Sequence, residues 1–167
     1  MFSARDPSDI DRFFRGLTEF AFHARLGVVD PPLVDYVSVL LVRFLRNEPP
    51  GAGSPTVEEA ASVTRLLVET VAQHDGDEAR EEYRHIGDVT LFWSGLYPEA
   101  LRRLEHRSLR DPLAAYRETG KRAYWLAASL EPEHADDERR LLKRLSNEYD
   151  LCVEGLAEVR RMWGDAA

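Results

Sequence analysis

Apolar residues recur along this chain at steps of three and four, the spacing that lines one face of a helix. In residues 8–26, Phe13, Leu17, Phe20 and Ala24 share such a face, with Ser8 placed as an N-cap and Gly27 as a left-handed stop. Asp30 ahead of Pro31 and Pro32 predicts a second start, because proline lacks only a donor that the first helical turn leaves orphaned. Leu33, Val37, Leu40 and Phe44 form the seam of that helix. The Pro- and Gly-rich run NEPPGAGSP, residues 47–55, reads as a surface loop. Thr56-Val-Glu-Glu59 has the form of a capping box and predicts a third helix to about Gln73. HDGD, residues 74–77, predicts a turn and cap before a helix over 77–94. Pro98 then begins a short helix to about Arg107, and Asp111-Pro112 caps another that reaches about Leu130.

EPEHADD is a turn, and a long last helix is expected over 136–163. Its stripe of Leu142, Leu145, Tyr149, Cys152, Leu156, Val159 and Trp163 is narrow, as in helices that cross at about +20°. Such a stripe serves either packing within the bundle or self-association as a homodimer. No segment alternates with period two, and the prolines of VVDPPLVDYV argue against a strand there. The fold expected is all-α: a single-domain bundle of about seven helices with a long C-terminal helix.

The helix over 77–94 changes character along its length. Tyr83, Ile86, Thr90, Trp93 and Tyr97 share one stripe, while Glu81, Arg84, His85 and Asp88 lie on the other side. Beyond Asp88, the residues Val89, Leu91, Phe92 and Trp93 point in almost every direction, so that half is buried all round. His85 and Asp88 then stand at the waterline. One reading is a surface ion lattice, with Arg84 to Asp88 and Glu81 to His85 at i,i+4. The other is a cleft in which His85 is an acid/base, Asp88 orients it, and Lys121 contacts an anion. Glycine costs about 1 kcal/mol inside a helix, so Gly87 calls for a reason. The stripe Tyr116, Gly120, Ala123, Ala127 supplies one, with the two helices crossing near Gly87 and Gly120 and bringing Tyr116, Lys121 or Tyr124 to the waterline. Gly95 is read as the helix stop. The candidate ligand-binding set is Arg84, His85, Asp88, Tyr116, Lys121 and Tyr124, with His85 and Asp88 the candidate catalytic pair.

Composition narrows the function. The 167-residue chain carries a net charge of −8, which argues against a nucleic-acid surface, apart from a local basic patch at Arg102, Arg103, Arg107 and Arg110. With 44% hydrophobic and 31% charged residues it has the balance of a globular protein. A single cysteine, Cys152, precludes an intrachain disulfide and a Cys-based zinc site, and it falls on an apolar seam as a core residue. The amino terminus lacks the form of a secretory signal, and YVSVLLVRFL is too short to span a bilayer, so a cytoplasmic protein is expected.

Glu82-x-x-His85 and Glu131-x-x-His134 have the spacing used by carboxylate di-metal bundles, but the second lies in a turn. His23 reads as a packed or capped side chain rather than a metal ligand. There is no phosphate-binding glycine loop, nucleophile elbow or zinc helix, so no metal or cofactor is expected. The run RETGKRAYW could line a pocket, though aromatic residues at helical spacing are usually core.

The stretch HIGDVTLFWSGLYP, residues 85–98, followed by Tyr116, Gly120 and Tyr124, resembles a signature of bacterial all-helical proteins that have no assigned activity. The resemblance spans the central third of the chain and implies a shared fold and bacterial origin, with no chemistry attached. The function expected is that of a non-enzymatic adaptor, regulatory or accessory protein that binds a protein partner or itself, through the last helix or the charged end of the helix over 77–94. The alternative is a small-molecule-binding or enzymatic bundle with its cleft at His85 and Asp88, and behind it a carboxylate di-metal bundle.

Overall fold

The computed structural model describes residues 7–47, 76–102 and 111–166. Every regular element among them is helical: α1 (Pro7–Phe20), a wide turn (Ala21–Arg25), α2 (Pro31–Asn47), α3 (Asp77–Leu96), α4 (Pro98–Arg102), α5 (Pro112–Ser129), α6 (Asp136–Asn147) and α7 (Tyr149–Ala166). The expected helix over 56–73, most of the loop 47–55, and Arg103, Arg107 and Arg110 lie outside the described residues. Contacts gather in two compact units, residues 1–52 with 154–167 and residues 53–153, so the boundary falls inside α7.

In the first unit, α1 packs on α2. The helix begins at Pro7, so Ser8 lies within its first turn rather than ahead of it. Its buried face is Phe14, Thr18, Ala21 and Phe22, whereas Phe20 and Ala24 of the expected seam are exposed. The buried face is already set at Phe14 and Thr18, one position round from Phe13 and Leu17, ahead of a wide turn over 21–25 in which Leu26 N–H donates to Ala21 five residues back at 3.2 Å. Such a turn inserts a residue into the helical period and rotates the residues beyond it. Phe22, four residues after Thr18 on the buried face, reaches α7, where a Cβ on Gly155 would strike its ring. Gly27 has φ of 67° and ends the segment as its position suggested. Asp30 accepts from Leu33 N–H at 3.3 Å, capping α2, whose seam residues Leu33, Val37, Leu40 and Phe44 are all buried. Trp163 meets Phe14 edge-on, with ring centroids 5.2 Å apart.

The second unit is built around the pairing of α3 with α5, with α6 packed on α5. Gly76 precedes α3 with φ of 77°, a conformation that glycine adopts without a steric penalty. α3 continues through Gly95 and ends at Leu96, a correction to the expected stop. Tyr97 breaks it, with φ −132° and ψ 51°, because the residue before Pro98 is steered away from the helical region. α5 is capped as expected, Asp111 accepting from Ala114 N–H at 3.1 Å. The long last helix is in fact two. Glu148, with φ −99° and ψ 20°, separates α6 from α7. The stripe nevertheless runs through the break: Leu142, Leu145, Tyr149, Cys152, Leu156 and Val159 are buried in the chain itself. Self-association through that stripe would require the chain to expose it.

Candidate functional site

The candidate residues occupy three different environments. His85 is exposed on α3, three residues before Asp88, which is 2% exposed. Asp88 is thus not at the waterline. All-round burial of α3 begins one turn earlier than the hydrophobic pattern suggested, with Ile86, Gly87 and Asp88 already covered. Inside, the Tyr124 hydroxyl donates to Asp88 Oδ1 at 2.7 Å, which supplies a charge-assisted bond to a carboxylate that would be costly to bury alone.

The two helices cross as expected, but through side chains rather than backbone. A Cβ on Gly87 would come within 2.6 Å of the Tyr124 ring, so the missing side chain is what admits that ring. Gly120 on α5 makes the reciprocal space, filled by the Thr90 hydroxyl of α3 and the Tyr149 ring of α7. Each glycine is a socket for a side chain opposite, and the residue numbers run in opposite senses, as in an antiparallel pair. The Tyr124 and Tyr149 rings lie 6.2 Å apart, tilted by 56°.

A hydroxyl cluster continues the polar line. Thr90 Oγ1 donates to the Gly87 carbonyl at 2.9 Å. The buried Tyr149 hydroxyl and Ser94 Oγ make no hydrogen bond of good geometry. Burial pushes the Tyr149 hydroxyl well above its ordinary value, against the nearby Thr90 and Ser94 hydroxyls and the Arg117 charge. Tyr83 is raised too, by burial, with Arg122 opposing. These tyrosines are held neutral by their surroundings.

Arg84 and Lys121 face elsewhere. Arg84 reaches Glu138 of α6 at 3.8 Å. Lys121 bonds Asp150 at 2.8 Å and Glu118 at 3.2 Å, and the Asp150 bond is the main reason its ammonium is raised above the ordinary lysine value. The Lys121 carbonyl also accepts from Ser146 Oγ at 2.8 Å, tying α5 to α6. Tyr116 is buried. Of the expected set, Asp88 and Tyr124 meet directly, while His85 stays at the surface and Lys121 is occupied by carboxylates.

The two Glu-x-x-His motifs do not converge. Glu82, His85 and His134 are exposed, and Glu131 turns to Arg80, 3.5 Å away. Among the described residues no three His, Cys, Asp or Glu side chains gather as a metal would need. His23 is exposed rather than packed.

One surface feature was missed from the sequence. Trp125, at the end of RETGKRAYW, is 56% exposed. It borders a groove of about 570 Å³ with Glu118, Thr119, Lys121, Arg122 and Ser146. The signal was available: at about 100° per residue, Trp125 stands roughly 140° round α5 from Gly120, off the inward stripe. Among the described residues, no helix is long and apolar enough to cross a membrane. Comparison with protein-family models, curated proteins and solved structures finds no match.

Proposed function

We propose that this protein works by binding a protein partner, as an adaptor or accessory protein, through the Trp125 face of α5. The observation behind this reading is the exposure of Trp125 beside Arg122, in a groove whose other cation, Lys121, is pinned by two carboxylates. Tryptophan and arginine are the side chains most enriched at the energetic centres of interfaces. A tryptophan left in water retains most of its apolar area for a partner to cover. The fixed neighbours supply a polar rim that needs little further ordering.

The enzymatic alternative places its cleft at His85 and Asp88. A substrate reaching Asp88 would have to displace the Tyr124 hydroxyl from a buried bond, and His85 is turned away to solvent. That arrangement suits a structural lock better than proton transfer.

Crosslinking and affinity capture from native cells, run in parallel with the intact protein and with Trp125→Ala, tests the reading. A defined partner recovered with the intact protein and depleted at least tenfold with Trp125→Ala is expected. Equal recovery with both would overturn the assignment of this face. A partner lost with His85→Ala but retained with Trp125→Ala would move the partner surface to the charged end of α3.

A further inference from the structure

From its cap to its last residue, α5 carries one exposed stripe. Asp111, Ala114, Glu118, Arg122, Trp125 and Ser129 are all exposed and recur at steps of three and four, which average the helical period of ~3.6. Reversed, this order is its own complement. Acid at Glu118 answers base at Arg122, the large Trp125 answers the small Ala114, and Asp111 answers the uncharged Ser129. An antiparallel second α5, related by a two-fold axis near the level of Gly120, makes each of these contacts twice.

The charges are available for it. Arg122 pairs with no carboxylate among the described residues. Glu118 bonds Lys121 at 3.2 Å with its side chain 74% exposed, and Asp150 holds the same ammonium more closely at 2.8 Å. An exposed pair of that kind contributes little, and an ionised carboxylate accepts more than one donor. A parallel copy would instead set Arg122 against Arg122 and Glu118 against Glu118, which opposes that register. An occupant of one sign satisfies Arg122 or Glu118 but not both.

We infer that the Trp125 face pairs with the same face of a second copy of this chain, α5 against α5 in antiparallel sense. The pairing rests on the reading of that face as a protein-binding surface and names its occupant. At ~1.5 Å per residue and ~10 Å across, the stripe covers roughly 300 Å² on each copy, short of the ~800 Å² per partner of a standard interface. The dimer is therefore a weak one that forms at high concentration and exchanges quickly.

Sedimentation equilibrium of the full chain over a wide range of concentration tests this. Mass should rise from one chain toward two. The dissociation constant should increase at least tenfold in Trp125→Ala, Arg122→Glu and Glu118→Arg, all of them changes at exposed positions. Mixing is the decisive arm. Arg122→Glu offers two acids and Glu118→Arg two bases, so each alone should stay monomeric while an equimolar mixture dimerises. If Glu118→Arg lowers helicity by circular dichroism, the double variant Arg122→Glu with Glu118→Arg, which exchanges both signs, should still dimerise. A mixture and a double variant that both remain monomeric while the intact chain dimerises would overturn the antiparallel pairing. An intact chain that is monomeric at every concentration would overturn the second copy as occupant. Capture of a different protein that Trp125→Ala abolishes would in that case leave the α5 face standing. A dimer unchanged by Trp125→Ala would overturn this pairing whatever the face captures.

Discussion

Tyr124 fills the space left by Gly87 with its ring and satisfies Asp88 with its hydroxyl. The two roles can be separated by substitution. Tyr124→Phe keeps the ring and removes one buried hydrogen bond to Asp88, so it should cost about 1–2 kcal/mol in urea unfolding. Tyr149→Phe removes a buried hydroxyl that has no good hydrogen bond to lose, and should change stability by less than about 0.5 kcal/mol. Equal losses for the two variants would mean that Asp88 does not depend on Tyr124. Glycines divide in the same way. Ala at Gly87 or Gly120 meets the opposing side chain and should destabilise by roughly 1–3 kcal/mol, despite alanine's better helix propensity. At Gly16, in α1, a Cβ meets nothing within 4 Å, so Gly16→Ala should raise stability by about 0.5–1 kcal/mol.

At the scale of elements, starts were more legible than faces. Asp30-Pro31 and Asp111-Pro112 announce helix starts because capping is a local bond between a carboxylate and a backbone N–H two or three residues on. Asp111→Ala should accordingly cost about 1 kcal/mol, measurable as a shift in the urea midpoint, with α5 the first helix to fray by hydrogen exchange. Faces were harder where apolar residues stand side by side. Phe13 and Phe14 offer α1 two adjacent seams, and burial follows Phe14, Thr18 and Phe22 rather than Phe13, Leu17 and Phe20; the fit of Phe22 over Gly155, far along the chain, accompanies that choice. Glu148 hid its break for a related reason, since the apolar stripe continues through it. The site was half legible. Asp88 stood out as a carboxylate entering an apolar run, and Tyr124 as a neighbour of the predicted crossing. What the pattern could not supply was orientation: Asp88 turns inward, Lys121 outward, and Trp125 away from the stripe that carries Tyr124.

For the molecule as a whole, pH should act most strongly on one unit. Tyr83, Lys121 and Tyr149 all bind their protons more tightly in the folded state than in the unfolded chain, and all three lie in residues 53–153. The causes differ. Burial disfavours the two tyrosinates, while Asp150 chiefly favours the Lys121 ammonium. The sign is the same for each. Below the unfolded values, near 10 for tyrosine and lysine, both states hold the proton, and the folded state keeps its full advantage. As pH rises past that point, the unfolded chain releases protons that the folded chain retains, so stability falls until the folded groups titrate in turn. Unfolding free energy should therefore be level through neutral pH in respect of these groups and decline steeply above about pH 10. The share of tyrosinate absorbance that Tyr149→Phe removes should appear with the loss of helix rather than before it, because Tyr149 ionises only once its surroundings open. Tyr149→Phe should make the alkaline decline shallower, by one proton's share, while leaving neutral stability nearly unchanged. Tyrosinate absorbance that accounts for Tyr83 and Tyr149 while helicity is intact would contradict the burial that orders this whole unit around α3 and α5.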